Sequence, residues 1–398
     1  MIIGQFTESY PPTIDGVGGV VHNYCKEMTR RGHRCVFIGP NDKKAETPLN
    51  YEVMLYRSIK MPGKMPYRVG LPQVMPDYKM LVREIPFDLV HAHTPFMAGW
   101  YAREVARERG IPLVATFHSK YYDDIYRVTR SKFITQRLVN NIVRFYESCD
   151  EVWTVNEQPA KVLREYGYRG PIVVMRNGVD DKESEIEGDI SDLALKDGVP
   201  QLLFVGQQDY KKGLQQLVDA CGILHEQEMP FQLVMVGEGQ DQLALAKQAG
   251  ALGIGDQVIF TGKIADRARL MSLYRRADLF VFPSLYDTAG LVVREAALAG
   301  TPSLMVEGSC AAEGMEDGVN GYLCDGTAEG IAQRIREALP TAAQVGQEAR
   351  RTIPITWERI GGYIEERYRN LVERREAEQA AEKPEETEET PAEAPAEK

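Results

Sequence analysis

The chain has 398 residues, 43% of them hydrophobic, and a formal charge of −11, a length that suits two or three domains with real cores. No stretch approaches the roughly 18 unbroken apolar residues of a membrane span, and no basic-then-apolar leader opens it, which argues against an integral or secreted protein. Six scattered cysteines without CxxC pairing read as reduced cytosolic thiols rather than disulfides or zinc ligands, and the acidic total weighs against a nucleic-acid partner.

Short apolar runs alternate with helix-length segments. Strands are predicted at Ile2–Phe6, Arg34–Ile38, Leu89–His93, Leu113–Phe117, Glu151–Val155 and Ile172–Met175. They resume at Leu202–Gly206, Gln232–Gly237, Val258–Gly262, Leu279–Pro283 and Ser303–Val306. Runs rich in Val, Ile and Phe, bounded by Gly or Pro, read as buried parallel strands, so the class is α/β. The acidic stretch 180–200 breaks the rhythm and reads as an interdomain linker. This gives an N-terminal doubly wound domain at 1–179 and a second at 180–356, facing each other across a cleft. A helix at 357–373 packs back on the first domain, and residues 374–398, dominated by Glu, Ala, Pro and Thr, form a disordered acidic tail.

Three strand-to-helix passages carry chemistry. After the first strand, Gly16, Gly18 and Gly19 precede a helix predicted near Val20. Glycines let backbone N–H groups approach an anion at a helix N-terminus, though the same loop reads equally as a tight turn without ligand. In LLFVGQQDYKKG, Lys212 stands before a helix where it can meet a phosphate; an exposed turn lysine is the plain alternative. In FPSLYDTAGLVVREAALAGTP, Asp287 and Glu295 bracket Ala289, Gly290 and a helix start at Leu291, with amides for a sugar or phosphate and carboxylates for hydroxyls. Two acids on a helix also read as a solvated face. His91 and His93 have metal-ligand spacing, but a strand end in an apolar context favours a structural role.

Taken together and in order, YPPTIDGVGG, HAHTPF, TFHS, RNGVD, FVGQQDYKKG, VMVGEG, FPSLYDTAGLVVREAALAGTP and EDGVNGYL resemble glycosyltransferase family 4, with its two-domain GT-B fold, over nearly the whole chain to about Glu373. The resemblance implies a retaining hexosyltransferase using a nucleotide sugar, a UDP-sugar rather than a GDP-sugar, with no metal and no further cofactor. It implies that Lys212 neutralises donor phosphate, Glu295 holds the ribose and Asp287 the transferred sugar. Gly16, Gly18 and Gly19 would abut the diphosphate from the opposite domain, His118 would lie beside the reacting sugar, and Gly237, Ile264, Gly290 and Leu291 would complete the donor pocket. Three positions depart from the family pattern: Gln207 replaces the usual arginine, Asp287 the usual glutamate and Ala289 the usual aromatic.

The opening FTESYPPTIDGV and the loop TFHSKYYDDIY are similar to members that glucosylate diacylglycerol. A helix predicted from about Val128 would place Ile134, Leu138, Ile142 and Phe145 on one face and a stripe of Arg130, Arg137 and Arg144 on the other; with Tyr121 and Tyr122 these form the expected acceptor and membrane surface. Residues 57–80, mixing cations with Met, Tyr and Pro, read as a loop. The charge divides unevenly: 25 basic and 18 acidic side chains in residues 1–176 give +7, whereas 177–373 carry −13 and 374–398 carry −5. A basic acceptor domain beside an acidic donor domain is the asymmetry expected of an enzyme peripheral to an anionic membrane, on the cytoplasmic side. A transferase with a soluble or polysaccharide acceptor, and a catalytically weak nucleotide-sugar-binding scaffold, are the alternatives.

Overall fold

The structure is a computed structural model that describes residues 1–9, 16–41, 50–60, 68–118, 120–285 and 290–382 (for Glu183 and Ser184, the backbone only). The first domain contains β1 (Ile2–Phe6), β2 (Arg34–Pro40), β3 (Glu52–Tyr56), a small hairpin of β4 (Ile59–Lys60) and β5 (Arg68–Val69), β6 (Leu89–Ala92), β7 (Leu113–Phe117), β8 (Glu151–Thr154) and β9 (Val173–Val174). Its main sheet has seven strands in the order β3-β2-β1-β6-β7-β8-β9, paired in parallel throughout. The second domain contributes β10 (Gln201–Val205), β11 (Gln232–Val236), β12 (Val258–Gly262), β13 (Leu279–Phe282), β14 (Ser303–Val306) and β15 (Tyr322–Cys324). These form a six-stranded sheet ordered β12-β11-β10-β13-β14-β15, again parallel. Both are doubly wound, as the apolar runs predict.

Strand alternation divides the first core. Phe6, Val36, Ile38, Val90 and Phe117 face a cluster under helices Met97–Arg109 and Lys132–Glu147. Ile3, Cys35, Phe37, Leu89 and Val114 face the other, under helices Gly16–Arg30 and Trp357–Glu382. The sheet is therefore covered on both sides, as parallel sheets require.

Several local expectations are corrected. The helix begins at Gly16 rather than near Val20, because the apolar stripe of Val20, Val21 and Tyr24 runs back to Val17 and offsets the cost of glycine in the first turn. The segment 57–80 is not a plain loop: the hairpin is followed by a 3-10 turn at Pro72–Val74 and a helix at Pro76–Arg83 with proline in its first turn. β3 and β15 were not among the predicted strands. The last helix continues past residue 373 to Glu382, since Arg375 pairs with Asp150 and Gln379 donates to Gly110 O; residues 383–398 lie outside the described residues.

Just past β1, half-buried Glu8 accepts hydrogen bonds from Ala98 N–H (2.6 Å), at the start of helix Met97–Arg109, and from the Thr94 hydroxyl. Desolvation raises its carboxyl from 4.5 to about 7 against the pull of the Ala98 amide. A raised acid binds its proton more tightly in the folded state, so this contribution is present at low pH and is lost as pH rises from about 4.5 to about 7. Glu8→Gln should therefore gain stability relative to the unsubstituted chain between pH 5 and pH 8 in urea unfolding; a pH-independent difference would remove Glu8 from that window.

Candidate active site

The C-terminal edges of the two sheets meet. Asn156, beyond β8, donates from Nδ2 to the carbonyl of Cys310, beyond β14 (3.4 Å), and Glu157 N–H donates to Glu313 Oε2 (2.9 Å). Arg176 also pairs with Glu313 (3.3 Å), and Leu291 packs against the first-domain cluster that holds Val20 and Met175. In each sheet the strand order reverses at the first strand, between β1 and β6 and between β10 and β13. Ligands of doubly wound sheets bind in the crevice outside such a reversal, and here two crevices face one another.

On the second-domain side, the turn after β10 is fixed before any ligand arrives. Asp209 caps the 3-10 turn Tyr210–Lys212, its Oδ1 accepting from Lys211 N–H (3.0 Å), while Tyr210 N–H donates to Asp241 Oδ2 (2.8 Å). Gln208 is buried and donates to Gly237 O (2.9 Å), tying this turn to the end of β11. Lys212 rises from the turn with its Nζ 5.7 Å from the Phe282 ring centre. Gly213 follows at φ +72°, and a Cβ there would lie 2.4 Å from Pro283 O, so only glycine lets the turn close against β13. Gln207 is exposed and Ile264 half-buried against the second-domain core.

Gly290, buried at φ +57°, opens helix Leu291–Ala299. One turn further, the half-buried Glu295 accepts from Arg267 Nη2 (2.8 Å) and from the Tyr274 hydroxyl (3.1 Å). Burial and the Glu295 charge push the Tyr274 phenol well up, which keeps it a donor. The carboxylate is thus held in one orientation by two groups that sequence reading did not assign. Asp287 and Ala289 lie outside the described residues.

On the first-domain side, Gly16, Gly18 and Gly19 lie in the first turn of helix Gly16–Arg30. Gly16 and Gly19 are exposed, and among the described residues outside its own helix backbone a Cβ at either would meet no atom within 4 Å. His118, just past β7, is buried and bonded through Nε2 to His93 Nδ1 (3.1 Å). Burial lowers its imidazole from 6.5 to about 3 and those of His91 and His93 well down, so all three rings are neutral. Both nitrogens of His91 and of His93 are hydrogen-bonded to neighbouring side chains. A neutral His118 does not repel positive charge developing on a sugar beside it.

The single helix expected from Val128 is two. Tyr121–Thr129 ends at Arg130, which turns left-handed (φ +52°), and Ser131 caps the next helix, Lys132–Glu147. The arginine stripe is therefore broken: Arg137 and Arg144 share the second helix and Arg130 sits in the corner. The buried face carries Val139, Ile142, Val143, Phe145 and Tyr146, while Ile134 and Leu138 are exposed beside Phe133, which is 76% exposed. Tyr121 is buried against Phe96 and Phe117, whereas half-buried Tyr122 stacks on Tyr126. Sequence reading also gave no role to Gln5, Glu8, Asn156 and Tyr368; Gln5 shows only as a polar residue inside the apolar run IIGQF, and Tyr368 as an aromatic on a stripe that reads as core.

Two family models match in tandem: "Glycosyltransferase Family 4" over residues 14–183 and "Glycosyl transferases group 1" over residues 185–352. The chain is 27% identical over 315 residues to an alpha-monoglucosyldiacylglycerol synthase of Streptococcus pneumoniae, covering 76% of this chain and 70% of the relative. It is 24% identical over 356 residues to a GDP-mannose-dependent alpha-mannosyltransferase of Corynebacterium glutamicum, covering 86% and 80%. Its fold is similar to that of Anabaena Alr3699/HepE, solved in complex with UDP and glucose, at a TM-score of 0.71 and 21% identity over 92% of this chain and 99% of that one. With two doubly wound domains joined edge to edge and a family model on each, the chain is a glycosyltransferase and belongs to glycosyltransferase family 4.

Proposed function

We propose that this enzyme is a retaining, metal-independent transferase that moves a hexose from a UDP-sugar to diacylglycerol or a glycosyl-diacylglycerol, working as a peripheral protein on the inner face of a membrane. One observation carries the lipid acceptor. The helix pair leaving His118 exposes Val128, Phe133, Ile134 and Leu138 next to Arg127, Lys132 and Arg137, an apolar and basic ridge suited to an anionic lipid surface. Similarity to an alpha-monoglucosyldiacylglycerol synthase supports the same reading. Among the described residues no helix is long and apolar enough to cross a membrane, so attachment through this ridge is the mode the reading needs. The mannosyltransferase relative favours a second reading, a GDP-sugar donor with another acceptor.

In this reading the donor diphosphate lies between Lys212 and the glycine turn at residues 16–19. The anomeric C–O bond to phosphate breaks, and charge builds on the leaving diphosphate, where Lys212 and two helix N-termini oppose it. The acceptor oxygen bonds to the anomeric carbon on the same face, and its proton passes to the departing phosphate oxygen, which retains configuration. Glu295, oriented by Arg267 and Tyr274, takes the ribose hydroxyls; Asp287 takes the sugar.

The glycine turn gives a sharp test. Alanine is the better helix former by about 1 kcal/mol, and among the described residues outside its own helix backbone nothing lies within 4 Å of a methyl at Gly19. Gly19→Ala should raise the Tm yet raise the donor KM about tenfold, the equivalent of ~1.4 kcal/mol, because the methyl stands where a diphosphate oxygen would come. An unchanged KM would take the turn out of the donor site.

The acceptor is tested with anionic vesicles containing diacylglycerol and a panel of UDP- and GDP-sugars, read by mass spectrometry of the lipids. The expected result is a hexosyl lipid from a UDP-sugar, with vesicle binding that fails at high salt and weakens in Phe133→Asp. Turnover only on a soluble acceptor, or only with GDP-mannose, would favour the second reading. Binding of donors without turnover on any acceptor would contradict both.

A further inference from the structure

The side chains between the two first-domain helices form one continuous hydrogen-bonded chain on a face of the sheet that is otherwise apolar. Gln5, His91 and Thr116 project from three adjacent strands, with Gln5 in register with His91, and all three are buried. The Gln5 amide fixes the sense of the chain. Its Oε1 lies 2.7 Å from His93 Nε2, so that nitrogen carries the proton and donates. The bare His93 Nδ1 then accepts from His118 Nε2–H at 3.1 Å. On the other side Gln5 Nε2 donates to the Tyr368 hydroxyl (3.2 Å), which donates in turn to His91 Nδ1 (2.5 Å). His91 passes the sense on from Nε2 to Thr116 Oγ1 (2.7 Å). Every donor points the same way. Reversing the Gln5 amide would reverse each tautomer, leaving His118 protonated on Nδ1 instead of Nε2. The rings are neutral, so what such a chain controls is which nitrogen holds the proton, not whether the ring is charged.

We infer that Tyr368 is a positioning residue for His118: its hydroxyl, at the junction of the chain, couples the Gln5 amide to the His91 tautomer and through His93 sets the tautomer and ring position of His118. Tyr368 comes from the last helix, far along the chain from His118. It is 0% exposed, stacked on Trp153 (ring centres 5.5 Å apart, 13° between planes). Flanking ion pairs of Arg367 with Glu151 and Arg375 with Asp150 seat the helix. The last helix is thus a working part of the first domain's half of the site. The catalytic side of this inference rests on the reading that His118 lies beside the reacting sugar.

The test uses the full chain with 15N-labelled histidine, the His118 signals being assigned by their loss in His118→Gln. The unsubstituted protein should show His118 in the Nε2–H tautomer; the Nδ1–H form would overturn the inference without any variant of Tyr368. Tyr368→Phe keeps the ring and its stacking but removes the hydroxyl. It should fold, give His118 signals of mixed tautomer, and lower kcat roughly tenfold or more at an unchanged donor KM. A tautomer unchanged in Tyr368→Phe would overturn the inference. A changed tautomer with unchanged kcat would uphold the relay and remove His118 from the reaction.

Discussion

The return of the chain onto its first domain is the constraint on which the rest depends. After the second sheet closes, the backbone crosses back at a parallel bridge between Val179 and Thr356, with Val179 N–H donating to Ile355 O and Trp357 N–H to Val179 O. The helix that follows buries Trp357, Ile360, Ile364, Tyr368 and Leu371 under the first sheet. At Gly361 a Cβ would lie 2.3 Å from Glu27 Cγ, so glycine there lets the helix approach Gly16–Arg30. Burying five large apolar side chains is worth roughly 1.5–3 kcal/mol each. The surface ion pairs along the helix add register more than energy. The first domain is therefore incomplete without the last residues of the described chain.

That arrangement explains how two half-sites can face each other without being built from one sheet. Each domain prepares its own edge: the second a turn locked by Asp209, Gln208 and Gly213, the first a glycine helix start after β1 and a neutral histidine after β7. The interdomain bonds of Asn156 and Glu157 to the loop after β14 are few, whereas the covalent crossing is double. The uneven charge has the same logic: a basic first domain beside an acidic second one gives each half its own electrostatic preference.

The sheets were legible because buried parallel strands leave unbroken apolar runs, and all eleven predicted strands have observed counterparts. β3 and β15 were not: Glu52–Tyr56 is half-exposed and its run carries little contrast, and Tyr322–Cys324 is buried but only three residues long. The break at Arg130 escaped because arginine is a poor marker of a left-handed turn, though Ser131 after it is an ordinary cap. Lys212, Gly290 and Glu295 could be picked out by motif. Arg267 and Tyr274, which orient Glu295, could not, because they come from another helix. Gln5, His91 and Thr116 were visible as polar residues in IIGQF, LVHAH and LVATF, yet nothing local says that they meet. Only the register of three strands and a helix from the far end of the chain brings them together.

In the proposed reaction, donor recognition is shared between the turn after β10, the start of helix Leu291–Ala299 and the glycine turn of the opposite domain. Hydrogen exchange on the full chain, with and without a UDP-sugar, tests it most directly. Added UDP-glucose should slow exchange at residues 206–213, 290–295 and 16–20 together, leaving the outer face of helix Met97–Arg109 unchanged. Protection confined to the groove lined by Gln73, Trp100, Arg103 and Arg107 on that face, or to one domain alone, would contradict it.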